Sequence, residues 1–234
     1  MNMKNIFLLM AVCFCFGCGQ SSVKEEAAVV NNAKPVAAQA QEQPAADSAV
    51  ADSDQKIIPE NNFNPFYVYR DRTSQENHFI PSGFMPNGKC LSFEDGWMLD
   101  CHSGKTCIKV VYDIACSNND QRWAGIYWLN PPNNWGNRKG GFNLTGAQKL
   151  VFWAKGDKGG ENIEEFLVGG ILGDYPDSSK VTVGPVILTD QWREYTIDLR
   201  GKDLSYISGG FGWSANARAN PQSCTFYLDD IRFE

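Results

Sequence analysis

Apolar residues along this chain recur in short bursts with a period of two. In CIKVVYDI, Ile108, Val110 and Tyr112 fall on one face, with Lys109 and Val111 on the other. KLVFWA sets Leu150 and Phe152 against Val151 and Trp153, and WREYTIDL sets Tyr195 and Ile197 against Glu194, Thr196 and Asp198. CTFYLDDIRF sets Phe226 and Leu228 against Thr225 and Tyr227. This is the period of a pleated strand with one face in a core and the other toward solvent. Clusters of Gly, Asn, Asp and Pro separate the bursts, as turns between strands do. ENIEEFL is the best helix candidate, and it is short. The pattern predicts an all-β sandwich over residues 61–234, about 170 residues and enough for one domain with a full core.

The pattern is different before residue 61. MNMKNIFLLMAVCFCFGCGQ opens with a basic Lys4 and continues through an apolar run from Ile6 to Phe16. About eleven apolar residues are too few to span a bilayer and suit the apolar region of an export signal. Gly17 before Cys18 resembles a bacterial lipoprotein signal, which gives residues 1–17 as signal and Cys18 as the lipidated N-terminus. The Leu usual three positions before that Cys is Cys15 here. Gly19 fits transit to an outer membrane, so the expected location is the cell envelope, with the lipid as an anchor that does not span. Residues 18–60 are rich in Ala, Gln and Pro and hold no aromatic residue. Such a stretch reads as a disordered tether, with an end-to-end distance of ~35 Å on flexible-chain scaling.

Charge narrows the partners. Asp and Glu number 27 against 21 Lys and Arg, a formal net charge of −6. A protein that grips a phosphate backbone wants a basic face, so nucleic acid is not expected, and a neutral polysaccharide is favoured over an anionic one. Export permits disulfides. Cys90, Cys101, Cys107, Cys116 and Cys224 leave at least one thiol unpaired. Cys101 and Cys107 flank HSGKT at hairpin-like spacing, and Cys90 and Cys116 fall in loops at strand ends, but spacing leaves the connectivity open. With two His in the chain and no paired C-x2-C, zinc is not expected.

The run WAGIYWLNPPNNWG carries the strongest functional signal. Indole and phenol faces stack on sugar C–H surfaces, and Asn amides both donate to and accept from hydroxyls. Packing in the core competes with recognition for every ring in the run. By alternation Trp123, Gly125 and Tyr127 share one side of their strand, with Ala124, Ile126 and Trp128 on the other, and Ile126 marks the second set as the buried one. Trp135 sits in an Asn/Pro/Gly loop, Trp153 opposes Leu150 and Phe152, and Trp213 stands among Gly, Asn and Arg. The expected platforms are Tyr127, Trp135, Trp153 and Trp213, with Asn133, Asn134, Glu161 and Asp177 as hydroxyl partners. Trp192 opens a strand and is assigned to packing.

The segments FYVYRD, PSGFM, SGKTCIKVVY, WAGIYW, NNWG, LTGAQKLVFWAKGDKGGE, LTDQWREYTIDL, GKDLSYISGGFGW and TFYLDDIRF carry a resemblance. They are similar to the galactose-binding-like jelly rolls that include the family 11 carbohydrate-binding modules and the complex I intermediate-associated protein 30 domains. The resemblance implies a jelly-roll fold and either sugar binding or a protein-assembly role. It also implies a structural calcium between the first and last strands. Asp71 or the pair Glu94 and Asp95 would meet Asp229 or Asp230 there, carboxylates beside turn carbonyls being the donors calcium takes.

A glycosidase needs two carboxylates across a cleft. Glu161, Glu164, Glu165, Asp174 and Asp177 supply acids, but nothing in their spacing selects a pair. No G-x-S-x-G is present, and SGKT lacks the earlier Gly and following helix of a phosphate-binding loop. The expected function is non-catalytic binding of a polysaccharide. An envelope protein-interaction role is the alternative, and a polysaccharide-degrading enzyme a distant third.

Overall fold

The computed structural model describes residues 63–116 and 121–234, and these form two antiparallel sheets packed face to face as a jelly-roll sandwich. The signal segment, Cys18 and the tether lie outside the described residues. The strands are β1 (Phe66–Tyr69), β2 (Ile80–Pro86), β3 (Leu91–Trp97), β4 (Cys107–Tyr112), β5 (Trp123–Leu129), β6 (Lys149–Gly156), β7 (Asn162–Ile163), β8 (Glu165–Gly169), β9 (Lys180–Val183), β10 (Val186–Ile187), β11 (Arg193–Asp198), β12 (Gly209–Asn216) and β13 (Cys224–Phe233). One sheet runs β11-β6-β13-β4-β3, with β1 added along the later half of β13. The other runs β2-β5-β12-β8-β9, and β7 and β10 form a small separate pair.

The period-two bursts become these strands, and the inward residues are those the alternation selects. Ile108, Val110 and Tyr112 of β4 meet Phe226 and Leu228 of β13 and Phe152 of β6 on one inner face. Ala124, Ile126 and Trp128 of β5, with Phe211, Trp213 and Ala215 of β12, form the other. Rings interlock across the gap: Phe152 lies 5.2 Å from Phe211 and 4.6 Å from Phe166, and Trp213 meets Phe226 edge-on at 4.8 Å. Edge and tilted contacts of this kind are the arrangement that ring quadrupoles prefer.

The helix candidate ENIEEFL is extended. Phe166 and Leu167 of β8 pair with Trp213 and Gly212 of β12 on one side and with Val183 and Thr182 of β9 on the other. Ladder hydrogen bonds on both edges, with Phe166 and Val168 in the core, override the helical preference of its glutamates.

The two candidate pairs of cysteines are bridged, Cys90 to Cys116 and Cys101 to Cys107, which leaves Cys224 as a free thiol. Cys224 is buried on β13, and burial, with Glu161 nearby, pushes its thiol up to about 12. The Cys101–Cys107 bridge pins a strap, residues 98–106, against the outer face of the six-stranded sheet.

Candidate functional site

The outer face of the five-stranded sheet follows from strand register. Trp123, Gly125 and Tyr127 of β5 point away from the core and pair with Asn216, Ser214 and Gly212 of β12. Glu165 of β8 lies across from Ser214, and Met85 of β2 lies across from Gly125. Two loops cover the upper end of this face. Residues 130–141 and 170–178 touch where the Tyr175 N–H donates to the Gly136 carbonyl at 3.0 Å. Gly136 has φ +84° and packs on the Leu172 carbonyl, where any Cβ would clash. Among the described residues no such loop covers the lower end, and a pocket there is lined by Trp123, Glu164, Glu165, Ser214 and Asn216.

Trp135 is 43% exposed at the rim of the covered end. Its ring lies over Gly83 of β2, whose missing side chain makes the space, and meets Tyr127 edge-on at 5.8 Å. Tyr127 is only 7% exposed. Its hydroxyl donates to the Gly169 carbonyl at 3.1 Å, and it packs with Leu129, Leu167 and Ile171. Burial raises its phenol far above the usual range, so it stays neutral. Tyr127 therefore supports Trp135 from below and offers little ring surface of its own, which corrects its assignment as a platform. Asn133 is exposed on the same loop with φ +57°, and its N–H donates to the Ser82 hydroxyl at 2.9 Å.

The other expected site residues lie elsewhere. Trp213 is fully buried in the core, because Phe211, Trp213 and Ala215 form the inward set of β12. Asn134 is buried within its loop, where its amide nitrogen donates to the Arg138 carbonyl and its oxygen accepts from Gly136 N–H. Asp177 accepts from the N–H groups of Ile171, Ser208 and Gly209 and from the Ser208 hydroxyl, so it locks the 170–178 loop to the start of β12. Glu161 is buried against Gly156 and accepts from Lys158 N–H at 2.9 Å, bracing its own turn. Trp153 is half-buried on the outer face of the opposite sheet, stacked on His102 at 3.6 Å. In place of these, the structure brings Trp123, Met85, Glu165, Ser214 and Asn216 to the face that Trp135 borders.

The five acids expected to hold calcium do not converge, and no group of three His, Cys, Asp or Glu suited to an ion occurs among the described residues. Asp71 accepts from the N–H groups of Lys105 and Thr106 at 2.8 Å each. Burial alone would raise its carboxyl, but these amides outweigh it and hold the group below the usual range. Asp229 accepts from Ser103 N–H at 2.9 Å, so both acids grip the strap. Asp230 pairs with Arg232, Asp95 with Arg72, and Glu94 stands across from Lys109. The donor set does not fit calcium, because Asp71, Asp229, Asp95 and Asp230 already serve amides and guanidinium groups, and Glu94 joins none of them in a cluster. Of the acids weighed for catalysis, Glu164 accepts from the Asn216 amide and Glu165 pairs with Lys180 at 3.7 Å.

No family model matches this chain, and no curated protein does. Similar folds occur among solved structures. One is a family 30 carbohydrate-binding module of cellulosomal cellulase Cel9D-Cel44B of Clostridium thermocellum, at 15% identity, 73% coverage of this chain, 97% of that one and a TM-score of 0.48. A family 29 module is 9% identical over 73% of this chain and 87% of its own, with a TM-score of 0.42. A family 11 module from Clostridium thermocellum, in complex with a β-1,3-1,4-mixed-linked tetrasaccharide, is 14% identical over 61% of this chain and 80% of its own, with a TM-score of 0.38. The likeness is one of sandwich shape.

Proposed function

We propose that the outer face of the five-stranded sheet binds a neutral polysaccharide without cleaving it. The observation that carries this reading is the exposed Trp135 indole, braced by Tyr127 over Gly83 at the rim of the sheet face. Trp123 stands four residues from Tyr127 along β5, roughly 13 Å at strand spacing, so the two tryptophans border a surface longer than one sugar ring. Between them Ser214 and Glu165 supply donors and acceptors for hydroxyls, and Asn216 stands beside Trp123. Among the described residues nothing walls off the lower end of the face, which favours the interior of a chain over its end. Export and a lipid anchor at Cys18 belong to the same proposal: a Cys18→Ser chain is expected in the soluble fraction, and retention in membranes would refute the anchor. The tether would then present many weak sites on one surface, where linked binding compensates for weak single contacts.

The test is affinity electrophoresis in gels containing β-glucans, mannan or xylan. Trp135→Ala is expected to weaken retention about tenfold, a loss of ~1.4 kcal/mol, while leaving the melting temperature within a few degrees. No retardation of the unaltered protein in any neutral polymer would overturn the reading. A protein partner is the second reading, favoured by Leu172, which is 76% exposed on the loop that packs against Gly136. It predicts capture of a partner that Leu172→Asp abolishes and free oligosaccharide leaves intact.

A further inference from the structure

The outer face of the six-stranded sheet carries a row of alternating rings and ammonium groups. Register sets Lys109 of β4 opposite Tyr227 of β13, and Tyr227 opposite Lys155 of β6. Trp97 ends β3 on one side of the row, and Trp192 precedes β11 on the other. Lys109 Nζ lies 3.9 Å from the Trp97 ring centre and 5.9 Å from that of Tyr227. Lys155 Nζ lies 5.0 Å from Tyr227 and 5.5 Å from Trp192. The ring centres are 6.3 Å apart for Trp97 and Tyr227, and 6.5 Å apart for Tyr227 and Trp192.

The two lysines differ. Lys155 is 8% exposed, and Asp100 on the strap neutralises it. The Trp192 indole N–H donates to the Asp100 carbonyl at 2.9 Å, so the strap closes that half of the row. Asp157 is occupied by the Tyr227 hydroxyl at 3.0 Å. Lys109 is half-buried, faces Glu94 in register and forms no ion pair with it or with any other described carboxylate. Its neighbours are the Trp97 and Tyr227 rings. Ring faces stabilise an ammonium through their quadrupole but accept none of its N–H bonds as an oxygen would. Lys109 is therefore a cation held in place by rings, with charge-assisted donors still to satisfy.

We propose that this row is a second ligand site and that it takes a sugar chain bearing carboxylates. The half-buried Trp97 ring stacks on the sugar's C–H face, and Lys109 meets the carboxylate beside it. The net charge of −6 argues against anionic partners for the chain as a whole. Charge acts over a Debye length of ~10 Å, however, and Asp100 and Asp157 beside the row are already engaged by Lys155 and Tyr227, which leaves Glu94 at one end and Glu194, one residue pair along β11, at the other.

Affinity electrophoresis of the full chain at low salt with polygalacturonate as the probe tests this. The unaltered protein is expected to be retarded. Lys109→Met, which keeps the stem that packs on Trp97, is expected to lose about tenfold in retention, in the range of one charged hydrogen bond. Lys109→Arg should restore it, and Trp135→Ala should leave it unchanged. Near-UV circular dichroism checks the fold, with Lys109→Gln as the substitute should the Met variant not fold. Absence of retardation, or retention unchanged in Lys109→Met, overturns the proposal. Loss in Trp135→Ala also overturns it, by placing the acidic chain on the other face. The neutral-polymer site is tested separately by Trp135→Ala on neutral glucan, so either site can fail alone.

Discussion

Asp229 is fully buried beneath the strap, and its carboxyl is pushed up to about 7. Burial is the main cause, opposed by the N–H groups of Ser103 and Asp230. The folded-state value lies above the ordinary one of 3.8, so folding favours the protonated acid. The stability this group contributes is complete below pH ~4 and is lost as pH rises through about 7. Asp229→Asn cannot titrate. Relative to the unaltered protein, it is expected to be less stable at pH 4.5 and to recover much of that deficit at pH 8. Melting temperatures at the two pH values read this, and a deficit equal at both would show that Asp229 does not titrate with folding. Trp213 shows at the same scale what the sequence concealed. Its neighbours Gly, Asn and Arg suggest a polar loop, whereas the alternation of Phe211, Trp213 and Ala215 already marks a buried set. Local composition outweighed period in that reading. Asn134, Asp177 and Glu161 could not have been placed from sequence, because what holds each of them is a backbone N–H of a distant or looping segment.

The elements themselves were largely legible. β4, β6, β11 and β13 lie where the period-two bursts are, and the inward set of β5 is the one Ile126 marks. The β8 strand was hidden because glutamates favour helix locally while pairing with β12 and β9 is a long-range matter. The strap was hidden too, since nothing in its sequence shows that Asp71, in the bend after β1, and Asp229, on β13, hold it from two distant segments. The bridges act on these elements unequally. Cys90–Cys116 joins residues 26 apart, and Cys101–Cys107 joins residues 6 apart. Loop-closure entropy gives roughly 3–4 kcal/mol for the longer and ~2 kcal/mol for the shorter. Replacing Cys90 and Cys116 by Ser is thus expected to lower the melting temperature more than replacing Cys101 and Cys107. The reverse order would mean that the strap stabilises the domain beyond its loop entropy.

At the scale of the molecule, the two outer faces differ in the charge they present. The face bordered by Trp135 carries Glu164 bonded to Asn216 and Glu165 paired with Lys180, so its charges are locally engaged. The opposite face keeps Lys109 without a counterion among the described residues. Stacking on a neutral sugar depends on apolar contact and hydroxyl bonds, which salt changes little, whereas an ammonium meeting a carboxylate near the surface is screened. Raising ionic strength from near 0.01 M to about 1 M shortens the Debye length from ~30 Å to ~3 Å. Retention by polygalacturonate is therefore expected to collapse over that range, while retention by a neutral glucan stays within about twofold. Trp135→Ala and Lys109→Met should each remove one of the two behaviours and leave the other. If both retentions fall together with salt, or a single substitution removes both, the chain has one binding face, and the ring-and-lysine row is packing that covers the outside of a sheet.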